Sequence, residues 1–187
     1  MGAFTTGEGF AAIVPMHAPA MLRVATALIG PADAEDAVQE AAMRAWQAWA
    51  TLRNPDAARP WLLQITINVC RDFLKKRQSD TSRFVQFGDD QEEVTQSIAT
   101  ESADAEQSVI QTQQHELIAK AMTSLPFKER ASIVLRDVEG FSTEEVAQIM
   151  NSSATTVRSQ ISSARKKIRT YCQQHLHRFD EGGRNEL

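Results

Sequence analysis

The stretch Ser142–Tyr171, STEEVAQIMNSSATTVRSQISSARKKIRTY, decides the fold. Ser142 with Glu145 three residues on forms a capping box. The serine oxygen accepts a backbone N–H of the first turn, and the glutamate reaches back to the N–H of the cap. A short helix is expected to run to Met150, followed by a turn at Asn151-Ser152-Ser153 and a long helix from about Thr155 to Gln173. Asn151 tolerates the left-handed backbone that such a turn needs. Short helix, tight turn and long helix make a helix-turn-helix. On a helical projection Val157, Ile161, Ala164 and Ile168 share one stripe, fit to pack on Val146, Ile149 and Met150. Ser159, Ser162, Ser163 and Lys166 fall opposite, with Arg158, Arg165 and Arg169 along one flank. A small polar face can approach base edges in a major groove while flanking arginines hold phosphates.

Outward from this unit the pattern stays helical. Gln113 to Ser124 reads as one helix. Pro126 opens another, which carries Ile133, Val134 and Leu135 and stops at Gly140. Residues 79–112 have no sustained period and carry eight acids against one base, Arg83. They read as a flexible acidic linker. Residues 154–179 carry six bases and no acid, so the net charge of −4 hides a basic C-terminal surface.

Residues 10–78 read as three helices. The first, from about Phe10, stops at Gly30-Pro31, and Pro15 and Pro19 are expected to shorten or kink it. The second has Asp33 as its expected N-cap. It turns Val38, Ala41, Ala42, Ala45, Trp46 and Trp49 inward, and Asp36, Gln39, Glu40, Met43 and Gln47 outward. An acidic face with an exposed methionine suits a basic partner helix. The third, Arg59 to Arg77, is apolar on two sides, with a polar strip of Gln64, Asn68, Arg71 and Lys75 between them. The strip leads into Lys75-Lys76-Arg77, which suits a phosphate backbone.

The chain has no apolar run of about 18 residues, so no membrane span is expected. Its N-terminus lacks the basic start and apolar stretch of a secretory leader, and two cysteines make no disulfide framework, so a cytoplasmic place is expected. Cys172, His175 and His177 have poor metal-ligand spacing, and Cys70 sits mid-helix on an apolar face. Neither points to a metal, a cofactor or a catalytic set, and no enzyme is expected.

These segments, in this order, resemble the extracytoplasmic-function sigma factors. The resemblance rests on Asp33–Glu40 with Arg44-Ala45-Trp46, and on Arg59-Pro60-Trp61-Leu62 with Asn68 and Asp72. It rests equally on Leu125-Pro126, Glu129-Arg130, Val138–Ser142, Glu145-Val146-Ala147 and Thr156–Ser159. It implies an all-α fold of two small helical domains, 10–78 and 113–178, joined by the linker. It implies that Asp36, Gln39, Glu40 and Met43 meet core RNA polymerase. The −10 promoter element would be held as single strand by Asn54, Arg59, Gln64, Asn68, Arg71 and Lys75. The −35 element would be read as duplex by Thr155, Thr156, Arg158, Ser159, Ser162, Ser163, Arg165 and Lys166. An anti-sigma protein is implied as a further partner. The chain departs from the family at Ser162-Ser163, where a bulky or basic pair is common, and in its Ala-rich first helix. The rival reading is a stand-alone helix-turn-helix regulator, for which residues 10–78 would have to dimerise or sense a ligand.

Overall fold

The computed structural model describes residues 7–84 and 116–182. The N-terminal part is a three-helix bundle of α1 (Gly7–Ile29), α2 (Pro31–Ala48) and α3 (Ala58–Phe84). Met21, Val24, Leu28, Leu62, Leu63 and Val69 are fully buried in it, against the alanine ridge Ala37, Ala41 and Ala45 of α2. The C-terminal part holds a helix over 116–123 (α4), then α5 (Phe127–Ile133), α6 (Thr143–Ile149) and α7 (Ala154–Gly182).

Several boundaries differ from the sequence reading. α1 runs unbroken through Pro15 and Pro19. Both prolines lie away from the buried stripe; Pro15, Pro19 and Ala11 are exposed. The carbonyls of Ala11 and Pro15, which lose their amide partners to the prolines, therefore lie on a face open to water. By length and composition alone α1 is apolar enough to cross a membrane, with a mean hydropathy of 1.5 over Gly9–Ile29. Here it is the central helix of the bundle, with Val14, Met21, Val24, Ala25 and Leu28 buried. α2 is capped by Gly30 (φ 88°) and opens on Pro31, not at Asp33. Proline at the first position costs no hydrogen bond, and Asp33 instead sits in the first turn, where a carboxylate suits the helix dipole. α3 continues to Phe84, so the first residues assigned to the linker are helical, while 85–112 lie outside the described residues.

The helix-turn-helix forms as its sequence dictates. Ser142 Oγ accepts from Glu145 N (3.2 Å), and Glu145 Oε2 accepts from Ser142 N (2.7 Å). Asn151 takes the left-handed conformation (φ 48°). Val157, Ile161 and Ala164 are buried, as are Val146 and Ile149 of α6. Ser142→Ala should lower unfolding stability by about 1 kcal/mol in a urea titration, the usual worth of an N-cap. An unchanged midpoint would mean that the helix needs no cap.

Two features were not legible beforehand. The helix from Phe127 does not close simply on Gly140. It widens after Ile133 into a π-helical turn, Val134–Val138, with Glu139 N donating to Val134 O (3.0 Å). The two halves also pack on each other. One apolar cluster runs from Met21 and Leu62 through Ile67 to Val134, Leu135 and Phe141.

Candidate polymerase and nucleic-acid interfaces

On α2 the ridge of alanines faces inward, so the opposite face is open. Asp36 and Gln39 are exposed, and Met43 is 57% exposed. Glu40 is half-buried, and its Oε1 accepts from Arg44 Nε (2.7 Å), while Arg44 Nη1 donates to Asp72 on α3 (2.8 Å). Trp46, which the sequence places with the core stripe, is instead 53% exposed near Met43, held edge-on to Phe10 (centroids 5.0 Å apart). Trp49 takes the buried position instead. The face is thus acidic with an apolar centre.

On α3 the polar strip forms as the sequence indicates. Asn68, Arg71 and Lys75 are exposed and Gln64 half-buried. Asn68 Oδ1 accepts from Arg71 Nη2. The strip lines a cleft of about 520 Å³, whose far wall includes Asn151 and Ser152 of the helix-turn-helix turn. Asn54 acts locally. Its side chain accepts from Asp56 N (3.0 Å) and caps the short turn Pro55–Ala57 that starts α3. Arg59 is turned away from the strip. Its Nη2 donates to Glu139 Oε2 (2.8 Å) and to Glu139 O (2.9 Å), and its guanidinium lies 4.5 Å over the Phe141 ring.

On α7 Thr155, Thr156, Arg158, Ser159, Ser162, Arg165 and Lys166 are exposed. Ser163 is half-buried and donates to Glu129 Oε1 (3.1 Å), so it faces its own domain and not outward as the helical projection suggested. The projection put it near the edge of the outward arc, and α5 covers that edge. Arg158 pairs with Glu144 (2.8 Å), and Arg165 with Asp137 through two bonds (3.1 and 2.6 Å). Both pairs are exposed, so water and salt screen them and each can be exchanged for a phosphate.

Glu139 is the residue that sequence reasoning missed. Its side chain has no exposed surface. Oε1 accepts from Arg23 Nε (2.9 Å), and Oε2 accepts from Arg23 Nη2 (3.1 Å) and from Arg59. Burial pushes its pKa up, but the hydrogen bonds from Arg23 and then Arg59 outweigh this and hold it below the usual carboxylate value. Stranding such a carboxylate without partners would cost about 3–5 kcal/mol. Its signals in the sequence are its place in the stretch Val138–Ser142 and its position as an acid just before Gly140, at a helix end where acids are disfavoured.

Comparison with known proteins shows the family. Sigma-70 region 2 matches residues 13–80, and sigma-70 region 4 matches residues 115–168. The ECF RNA polymerase sigma-E factor of Escherichia coli K12 is 30% identical over 137 residues, 73% of this chain and 72% of that one. The ECF RNA polymerase sigma factor SigE of Mycolicibacterium smegmatis is 31% identical over 164 residues, 87% of this chain and 61% of that one. The chain spans only 37% of a longer Xanthomonas campestris relative named "Probable RNA polymerase sigma factor RfaY", to which it is 30% identical over 151 residues. Among solved structures, the sigma factor RpoE in complex with the anti-sigma factor NepR from Bartonella quintana superposes with a TM-score of 0.70, at 23% identity over 89% of this chain and 98% of that one. CnrH in complex with the cytosolic domain of CnrY superposes with a TM-score of 0.61, at 23% identity over 90% of each chain. The fold, the two family regions in their order, and the sigma-E relatives agree: the chain belongs to the ECF sigma factors of the sigma-70 family, alternative factors that direct RNA polymerase to promoters.

Proposed function

We propose that this sigma factor divides promoter recognition between its two halves, and that no covalent chemistry of its own is involved. Asp36, Gln39, Glu40 and Met43, joined by Trp46, dock core RNA polymerase. Asn68 captures an unstacked base of the −10 strand, while Arg71 and Lys75 hold its phosphates and Gln64 lines the same strip. A protein that binds the unstacked strand favours opening without bond chemistry. Thr155, Thr156, Arg158, Ser159, Ser162, Arg165 and Lys166 face the −35 duplex; arginines paired only to exposed acids are free to exchange. The carrying observation is that three separate polar faces, on α2, α3 and α7, stay open while the apolar sides of those helices are packed.

The factor works in the cytoplasm, where polymerase and promoter DNA are. An anti-sigma protein is a fitting regulator, since the RpoE neighbour is held in a complex of that kind. The test is run-off transcription with purified core polymerase on a library of promoter fragments. Initiation that depends on this chain supports the reading and gives the promoter sequence. DNA binding without any gain in initiation overturns it in favour of a stand-alone regulator.

A further inference from the structure

The long helix of the helix-turn-helix is tied to its own domain along one polar seam. On α5 Glu129 and Ser132 lie three residues apart and so share a face. On α7 Gln160, Ser163 and Lys167 share another, on the flank between the buried stripe and the exposed Ser159 and Ser162. Ser132, fully buried, donates to Gln160 Oε1 (2.7 Å). Glu129 Oε1 accepts from Ser163 Oγ (3.1 Å) and from Lys167 Nζ (2.9 Å). The Glu129 side chain is 16% exposed, and its other oxygen, Oε2, is buried and accepts no hydrogen bond among the described residues. The apolar part of the contact is smooth. Ala131 of α5 is buried, and Ala164 of α7 clusters with Leu125 and Ile133.

We propose that Glu129 and Ser132 are positioning residues for the −35 element: they fix the roll of α7 about its axis, and so decide which of its side chains meet the bases. This rests on the reading that α7 faces the −35 duplex. Stability alone does not account for the seam. An apolar residue in place of Glu129 would pack without leaving a buried oxygen unbonded, and replacements of that kind are often neutral or stabilising. What the polar bonds add is direction, since each holds only over a narrow range of distance and angle. An alanine contact offers no such key. Side-chain atoms stand about 5–6 Å from a helix axis, so a roll of about 20° carries them about 2 Å. That breaks a bond from Ser159 or Ser162 to a base edge, and it shifts every such bond at once. The seam also divides the serine pair, for Ser162 stays exposed and Ser163 is held back by Glu129.

The test is run-off transcription with the full chain and core polymerase. Output is measured on the promoter that the wild type selects, and on versions of it with one −35 base pair changed at a time. A changed base pair should lower wild-type output about tenfold. Glu129→Ala should lower output on the parent promoter about tenfold, and should shrink the penalties at several −35 positions together to within about threefold. Ser132→Ala and Ser163→Ala should flatten the same positions. Glu129→Gln keeps an acceptor for Ser163 and should keep most of the wild-type profile. Helicity by circular dichroism, and output on a template with an unpaired −10 segment and no −35 element, should match the wild type in all four variants. If Glu129→Ala loses helicity, Ser132→Ala decides, because it removes a single hydroxyl. A wild-type profile in the alanine variants, or one merely scaled down at every position, overturns the positioning role. So does a change confined to one base pair in Ser163→Ala, which would make that serine a direct reader. A wild type that gives no initiation, or initiates with no −35 preference, would instead sink the −35 reading of α7 and this proposal with it.

Discussion

Asp36→Lys combined with Glu40→Lys is expected to reduce polymerase-dependent run-off transcription at least about 100-fold. In the proposed function the face of α2 takes a basic partner. The alanine ridge fixes the helix from behind, which leaves Asp36, Gln39 and Met43 toward the open side. Reversing two acids places like charge against the partner, which costs several kcal/mol at a close interface, and each 1.4 kcal/mol is a factor of about ten. The fold should survive. Glu40 loses its bond to Arg44, but Arg44 keeps Asp72. Helicity and binding to a −35 duplex are the controls, and both should match the wild type. Transcription within about threefold of the wild type would show that α2 is not the docking face.

The second large effect is expected at Asn68. Asn68→Ala should lower initiation about 10–100-fold on a closed duplex promoter and have little effect on the same promoter with its −10 segment already unpaired. Holding one unstacked base is worth about 1–3 kcal/mol, and that contribution is needed only while the strand must be drawn out of the duplex. Asn68 is exposed and bonded to the equally exposed Arg71, so its loss should not disturb the core beneath, where Leu62, Leu63 and Val69 are buried. Equal losses on both templates would make Asn68 a folding or docking residue instead.

The local order of the chain was legible because local rules set it. Ser142, Glu145, Asn151 and the stripe Val157, Ile161, Ala164 each act over three or four residues, and the helix-turn-helix follows from them. The strip on α3 was legible for the same reason. What stayed hidden depends on contacts between residues far apart in the chain. Nothing near Arg59 in sequence says that a glutamate 80 residues on will claim it. Ser163 looked outward on a single helix, and only the arrival of Glu129 turns it inward. Trp46 looked like core because the helical period sets it with Ala42, Ala45 and Trp49; in the fold Trp49 is buried and Trp46 is 53% exposed.

The tryptophans have an optical consequence. All three in the chain, Trp46, Trp49 and Trp61, belong to the N-terminal half, and the C-terminal half has none. Trp49 is buried and stands edge-on to Trp61 at 6.1 Å, whereas Trp46 is half in water at the centre of the acidic face. The intrinsic fluorescence of the indoles therefore comes from one half only, and its solvent-sensitive part comes from the indole where polymerase would land. The molecule carries an unlabelled reporter of docking that is blind to the helix-turn-helix.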